Sequence, residues 1–311
     1  MVTMRARLPH HTTMQPRVMI TGAAGLIGQY FLKSAARWAP GWEVYGLSRA
    51  DLDLTDHTAV ERTWRLLKPD VVIHSAALSR TKDCEQDPQL ARCINVEATA
   101  HLAQLSKDIP FIFLSSGEVF DGRTGWYCET DAPNPVNVYG QTKREAEQWV
   151  LQNPRHTVVR IVLTSGTSRH GDRSFVEDMC RTARSGQQVT LYRDEFRCPL
   201  PAGVIARAIW ELARQEQPGL YHLGGSERLS RWEIGEALLL WYPELTGRLV
   251  RSSSRDHRGA PRPPDLSLRC DKIQKLLSFP IPGFRSWLAG RTQRGVDVWD
   301  FEPAAGSSHD S

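Results

Sequence analysis

Residues 21–28 read TGAAGLIG, directly after the apolar run RVMIT at 17–21. Gly22, Gly25 and Gly28 form G-x-x-G-x-x-G where a strand-like run meets a helix-like one. Leu26, Ile27, Phe31 and Leu32 recur at helical spacing over residues 25–38. Each glycine answers a separate demand. The first permits a tight turn, the second lets the backbone approach a pyrophosphate, and the third lets the helix pack close to the sheet. The first helical turn, with Leu26 and Ile27, then turns its unsatisfied amides toward phosphate oxygens. With 23 glycines among 311 residues, about 0.13 such triplets arise by chance, before any flanking strand and helix are required. The loop is therefore read as a nucleotide site.

Outward from the loop the same rhythm continues. Residues 43–47 (EVYGL) are strand-like. Residues 58–67 are helical, with Thr55 or Asp56 as cap, and 71–74 (VVIH) are a buried strand run. Asp87-Pro88 opens a helix that carries Leu90, Ile94, Ala98 and Leu102 on one face. Then follow a strand at 111–114 (FIFL), a helix at 138–151 and a strand at 157–162 (TVVRIV). Strands that are apolar throughout, alternating with helices, predict an α/β fold with a doubly wound parallel sheet of Rossmann type. Residues 17–165 make the NAD(P)-binding domain. Shorter pieces follow: helices at 174–185, 204–214 and 231–240, and strands at 188–191 and 220–223. They predict a smaller C-terminal substrate-binding lobe over 166–290, partly interleaved with the sheet. Residues 1–16 have no apolar h-region and are expected to be a flexible extension, with Met1 or Met14 as the start; 291–311 are expected to be a disordered tail.

Composition excludes other classes. Lys plus Arg is 39 and Asp plus Glu 35, a mild +4 without clustered basic runs, which argues against a nucleic-acid partner. No apolar window approaches the roughly 18 residues of a membrane span. The six cysteines form no C-x-x-C and the ten histidines no metal constellation, so no metal is expected. Scattered cysteines without a secretory signal read as free thiols of a cytoplasmic protein.

The end of the second strand selects the cofactor. A carboxylate there would accept from an adenosine ribose and repel a 2′-phosphate. This chain has Ser48-Arg49, and a guanidinium binds phosphate bidentately, so NADPH is favoured, with NADH possible. Asp53 and Leu54 lie just downstream, within reach of the ribose or adenine.

Tyr139 and Lys143 form Y-x-x-x-K, one helical turn apart. A phenol with pKa near 10 is a poor acid–base at neutral pH. A neighbouring ammonium and an oxidised nicotinamide both favour phenolate. Lys143 can also bind the nicotinamide ribose. Ser115 and Ser116 end the FIFL strand, where ligands of open α/β sheets sit, and Ser116 is chosen to hydrogen-bond a substrate carbonyl. Arg197 is a candidate for a substrate diphosphate. Arg173, Arg228 and Arg262 are read as that or as structural residues.

TGAAGLIG, HSAA (74–77), SSGEVFDG (115–122) and YGQTK (139–143) together resemble the extended short-chain dehydrogenase/reductase superfamily. T-x-D-C-E-x-x-P (81–88) and E-T-D-x-x-x-P-x-N-x-Y-G-x-x-K (129–143) are similar to its dTDP-4-dehydrorhamnose reductase branch. So are YHLGGSERLSRWEIG (221–235) and RPPDLSLRCDK (262–272). The resemblance implies a catalytic Ser116, Tyr139 and Lys143, and pyrophosphate binding by Gly22, Gly25 and Gly28. It also implies an adenosine lined by His74, Ser75, Ala76 and Ala77, and an Asn95 that braces neighbouring strand loops. The implied activity is NADPH-dependent reduction of a nucleotide-activated 4-keto-6-deoxy sugar in dTDP-rhamnose biosynthesis, with Tyr139 as proton donor. A homodimer through 138–151 is a family-level expectation. Two departures stand out. Gly117-Glu118 replaces the branch's Asp-Tyr at a position facing substrate, which makes Glu118 a substrate candidate. Thr164-Ser165-Gly166 lacks the aromatic that usually precedes the glycine. Two alternatives stay open: a nucleotide-sugar epimerase with tightly held NAD, and a non-catalytic dinucleotide-binding subunit similar to the methionine adenosyltransferase beta subunit.

Overall fold

In the computed structural model of the chain, the apolar runs become parallel strands of one sheet. The structure describes residues 15–290. The expected tail at 291–311 lies outside the described residues, as does the expected extension apart from residues 15 and 16. The first half runs β1 (Arg17–Thr21), α1 (Leu26–Trp38), β2 (Glu43–Leu47), α2 (His57–Leu67), β3 (Val71–His74), α3 (Thr81–Gln86) and α4 (Pro88–Arg92). One π-helical turn (Cys93–Glu97) leads to α5 (Ala98–Leu105), β4 (Phe111–Ser116), α6 (Val138–Val150) and β5 (Thr157–Ile161). The second half runs β6 (Thr164–Ser165), α7 (Phe175–Arg184), β7 (Val189–Tyr192), β8 (Phe196–Arg197), β9 (Leu200–Pro201), α8 (Ala202–Gln215) and β10 (Gly219–Leu223). It ends with β11 (Leu229–Ser230), α9 (Arg231–Leu238), β12 (Leu249–Ser252), α10 (Asp271–Gln274) and α11 (Phe284–Ala289).

The central sheet has the order β10-β5-β4-β3-β1-β2, and every neighbouring pair is parallel. Strand order reverses at β1, which lies between β2 and β3, and there the crevice beyond the carboxyl ends opens. All of β3 and all of β4 are buried, as strands covered on both faces must be. Along β1 the side chains alternate between two cores. Val18 and Ile20 pack with Phe31 and Trp210, whereas Met19 packs with Val60, Leu102 and Phe113. Trp210 of α8 lies edge-on to Phe31 and Trp42, both at 6.1 Å between ring centroids, and donates its Nε1 to Ser34 Oγ at 3.2 Å. This contact fixes α8 against α1.

The chain leaves the sheet after β5 and returns to it. Helix α8 and strand β10 come from the stretch read as lobe, yet β10 is the sheet's sixth strand beside β5. Outside the central sheet lie three small pairs, β6 with β9, β7 with β12 and β8 with β11. Helices α7 and α9 both start in capping boxes, Ser174 with Glu177 and Ser230 with Glu233. One face differs from expectation. Leu90 is 40% exposed, and the buried stripe beside it runs through Ala91, Asn95, Thr99 and Leu102. Its polar members are satisfied, since Thr99 Oγ1 donates to the Asn95 carbonyl and the Asn95 side chain bonds Leu78 and Thr142, so burial costs them little. Among the described residues no helix is long and apolar enough to cross a membrane, and the six thiols are unpaired.

Candidate functional site

The glycine loop is closed on itself and on the next strand's loop. Gly22 has φ +73°, and a Cβ there would lie 2.6 Å from the amide nitrogen of Ala76. The Gly25 amide donates to the Gly22 carbonyl at 2.9 Å, completing the turn. The turn is anchored from below, where Thr21 Oγ1 meets His74 Nδ1 at 2.6 Å and His74 Nε2 meets Thr99 Oγ1 at 2.9 Å. Ser75, Ala76 and Ala77 line the crevice. His74 does not line it, contrary to expectation: it is fully buried beneath, and burial followed by the charge of Lys143 lowers its pKa to about 3. A neutral imidazole with both nitrogens engaged is a brace, not an adenosine contact.

At the far end, Ser48, Arg49, Asp53 and Leu54 line the same crevice. The Ser48 amide and hydroxyl both donate to Asp51 Oδ2, at 2.8 and 2.6 Å, and the Thr55 amide and hydroxyl donate to Asp53 Oδ1, at 3.0 and 2.7 Å. These bonds hold both carboxyls below their usual range, and the charge of Arg49 adds a smaller effect at Asp53. The Ser48 hydroxyl proton is thus given to Asp51, and the exposed Arg49 is the group that can meet a 2′-phosphate.

The third cluster is built by the end of β4 and the start of α6. Ser116 Oγ accepts from the Glu118 amide at 3.1 Å. Asn137 caps α6, accepting from the Gly140 amide at 2.8 Å while its Nδ2 donates to Glu118 Oε2 at 2.9 Å. A Cβ at Gly140 would stand 2.1 Å from the Glu118 carbonyl oxygen, so this glycine lets the helix start touch the strand-end loop. Asn95, in the π-helical turn, accepts from the Leu78 amide at 2.8 Å and donates to Thr142 Oγ1 at 3.0 Å, tying α6 to the loop after β3. Lys143 is 1% exposed. Its Nζ donates to the Leu114 carbonyl at 2.7 Å and lies 3.9 Å from the centroid of Phe113. Burial brings the Lys143 pKa down to about 7, opposed by Glu147 and Cys84. Burial also dominates at Tyr139 and raises the phenol well above its ordinary value; the Ser116 hydrogen bond pulls it back, and Glu118 and Cys84 push it further up. Lys143 and an oxidised nicotinamide are expected together to favour phenolate; among the protein's own groups, burial outweighs that influence. The result is a phenol that keeps its proton through neutral pH and suits a donor.

Beyond this cluster Glu118 and Arg197 line the cavity. Arg197 has company: Nη1 donates to the Phe196 carbonyl at 2.7 Å, and Nη2 lies 3.3 Å from Glu195 and 3.9 Å from Glu118. Glu195 also takes a bidentate pair from Arg262, both bonds 2.7 Å, and lies 3.9 Å from Arg231. Three guanidinium groups therefore share two carboxylates. Arg173 lines the cavity, whereas Arg228 is paired with Asp265 at 2.7 Å outside it.

Gly22, Gly25, Leu26, Ile27, Gly28, Ser48, Arg49, Asp53, Leu54, Ser75, Ala76, Ala77, Ser116, Glu118, Tyr139, Lys143 and Arg197 all border this one cavity of about 610 Å³. It is also lined by residues that had no assigned role: Ile94, Val162, Leu163, Leu266 and Phe175. Phe175 supplies an aromatic ring from the first turn of α7. The S-x-x-E signal of its capping box, at 174–177, places that helix start. Among the described residues no group of three or more His, Cys, Asp or Glu is disposed to hold a metal ion.

The family model described as RmlD substrate binding domain matches residues 16–295. A dTDP-4-dehydrorhamnose reductase of Sinorhizobium fredii is 32% identical over 284 residues, which is 86% of this chain and 94% of that protein. The methionine adenosyltransferase 2 subunit beta of Xenopus laevis is 31% identical over 281 residues, 85% of this chain and 84% of that one. Among solved structures, the dTDP-4-dehydrorhamnose reductase of Bacillus anthracis in complex with NADP superposes with a TM-score of 0.81 at 22% identity. It covers 89% of this chain and 98% of its own.

Proposed function

The chain belongs to the RmlD substrate binding domain family, and from that premise we propose that it is an NADPH-dependent reductase of a nucleotide-activated 4-keto-6-deoxy sugar. The observation that carries this reading is the meeting of Ser116, Tyr139 and Lys143 with the glycine loop and Arg49 along a single cavity. The residues suit a dinucleotide. The Gly22–Ala76 and Gly28–Gly22 approaches leave room for no side chain, and α1 starts at Gly25 without a side-chain cap, so its first amides would be available to a phosphate. Arg49 would hold the 2′-phosphate, Ser75 to Ala77 the adenosine side, and Lys143 the nicotinamide ribose. NADH would lack only the phosphate that Arg49 recognises.

Bound NADPH would supply the hydride for the sugar's carbonyl carbon. Tyr139 gives its phenolic proton to the carbonyl oxygen, which becomes the hydroxyl of the product. Ser116 Oγ donates a hydrogen bond to that oxygen as charge develops on it. As an ammonium Lys143 has three N–H donors, one of which is spent on Leu114, and the other two would be available to the ribose hydroxyls. Glu118 and Arg197 face the sugar nucleotide, with Arg197 directed to its diphosphate.

The test is loss of NADPH absorbance across dTDP-, GDP- and UDP-linked 4-keto-6-deoxy sugars, with Tyr139→Phe as control. Turnover that is unaffected by Tyr139→Phe would defeat the mechanism. The 31% identity to a methionine adenosyltransferase beta subunit supports a second reading, a dinucleotide-binding subunit without turnover. It requires NADPH binding with no oxidation by any sugar in the panel.

A further inference from the structure

One turn beyond Lys143 on α6, Glu147 is buried where a carboxylate is costly. Its side chain is 4% exposed and that of Arg160, its partner, 3%. Glu147 Oε1 accepts from Ser115 Oγ at 2.5 Å and from Arg160 Nε at 2.9 Å, and Oε2 accepts from Arg160 Nη2 at 2.7 Å. Ser115 and Arg160 are register partners on β4 and β5, and Ser115 precedes Ser116. The carboxylate therefore clamps α6 to two strands directly beneath the reacting groups. A buried ion pair is weak evidence of stabilisation, since apolar replacements often do as well. A role in the site accounts better for its place.

We propose that Glu147 is a positioning residue, the buried counter-charge of Lys143 and the tie that seats α6 against Ser115 and Ser116. This rests on the reading of Lys143 as a cofactor-binding ammonium and is independent of the sugar.

The groups around Lys143 favour Glu147 for that part. Burial lowers Lys143 to a pKa of about 7, and Glu147 is the larger of the two influences that raise it. The other is Cys84 on α3, whose thiol burial pushes up to about 11. His74 on β3 is neutral, and Arg160 on β5 is engaged by Glu147. β4 contributes the Leu114 carbonyl and the Phe113 ring. With Glu147 uncharged, Lys143 loses its main anionic neighbour.

The experiment is a pH titration of isotope-labelled lysine side chains by NMR. The chain has seven lysines, and the Lys143 resonance is the one absent from Lys143→Met. Two variants are compared with the wild type: Glu147→Gln, and Glu147→Gln combined with Arg160→Gln. The Lys143 midpoint is expected to fall by about one pH unit in both. NADPH binding, followed by fluorescence, is expected to weaken along with Lys143 deprotonation. The double variant removes the Glu147–Arg160 pair together, so Arg160 is not left without its carboxylate, and it carries the test where the single one is too unstable to titrate. An unchanged Lys143 midpoint in either folded variant overturns the proposal. Failure of the reductase reading shows separately, as wild-type protein that oxidises no NADPH while Lys143 still titrates.

Discussion

Gly28 is pressed against the carbonyl of Gly22: a Cβ at Gly28 would stand 2.1 Å from that oxygen and 2.8 Å from Ala23 Cα. Inside a helix, exchanging glycine for alanine normally stabilises by about 1 kcal/mol. Here the obstacle is backbone, which cannot swing aside, so the sign reverses. Gly28→Ala is expected to lose about 1–3 kcal/mol in urea unfolding, the range of an overpacked core. NADPH affinity is expected to fall with it, because α1 must back away from the loop. A variant as stable as the wild type would show that the loop is looser than this contact.

Tyr139→Phe removes one oxygen and no apolar area. The fold is expected to hold, with a thermal midpoint near that of the wild type, while kcat falls about 10²–10⁴-fold, the range for loss of a positioned proton donor. Ser116→Ala leaves the donor in place and is expected to cost less. Stopped-flow NADPH oxidation distinguishes the two. Equal losses for both would put the proton elsewhere.

Acid sensitivity follows from two imidazoles. Burial, with the charge of Lys143 for His74 and of Arg160 for His222, lowers both pKa values to about 3. In the unfolded chain a histidine ionises near about 6.5. The unfolded state therefore binds more protons between these limits. The contribution of these two rings is whole above about pH 6.5 and drains as pH falls toward about 3. The urea midpoint is expected to drop steadily below pH 6.5, with a shallower slope in His222→Gln. A flat midpoint from pH 6.5 to 5 would contradict the burial of both rings.

What the sequence disclosed and what it concealed have physical causes. The glycine loop and β1 to β5 were legible because each signal is local: spaced glycines, continuous apolar strands and a phenol four residues before an ammonium. Asn95 was legible as a brace through the resemblance alone, whereas Thr99, equally buried and polar, was hidden; the partners Leu78, Thr142 and His74 make their burial tolerable. Leu90, an apolar residue on the expected face, lies outside instead. The return of β10 to the sheet is a pairing across 62 residues, Gly219 with Thr157, which no periodicity reveals. Arg197 was legible as a candidate, but its carboxylate neighbours were not, because Glu118 and Glu195 reach it from different segments.

Arg49 is an exposed cation at the crevice end, next to an Asp51 that is already committed to Ser48. Its loss should therefore be felt by the phosphate alone. Arg49→Ala is expected to weaken NADPH binding by about 10- to 100-fold, the equivalent of one charge-assisted contact, and NADH binding only slightly. Fluorescence titration with each dinucleotide reads the difference. Equal losses would assign Arg49 a structural part.

Arg197 and Glu118 should act in opposite directions on the same ligand. Arg197 is shared between Glu118 and Glu195, so an incoming diphosphate competes with carboxylates for its guanidinium. Arg197→Ala removes the cation, and KM for the sugar nucleotide is expected to rise about 10- to 100-fold with a smaller change in kcat. Glu118→Gln keeps an acceptor for Asn137 but removes one competing charge, so KM is expected to fall or hold. Glu195 stays neutralised by Arg262 in both variants, which preserves the fold. Steady-state kinetics on the two variants decide the point. A rise in KM for Glu118→Gln as large as for Arg197→Ala would mean that Glu118 itself holds the substrate, through a hydroxyl of the sugar.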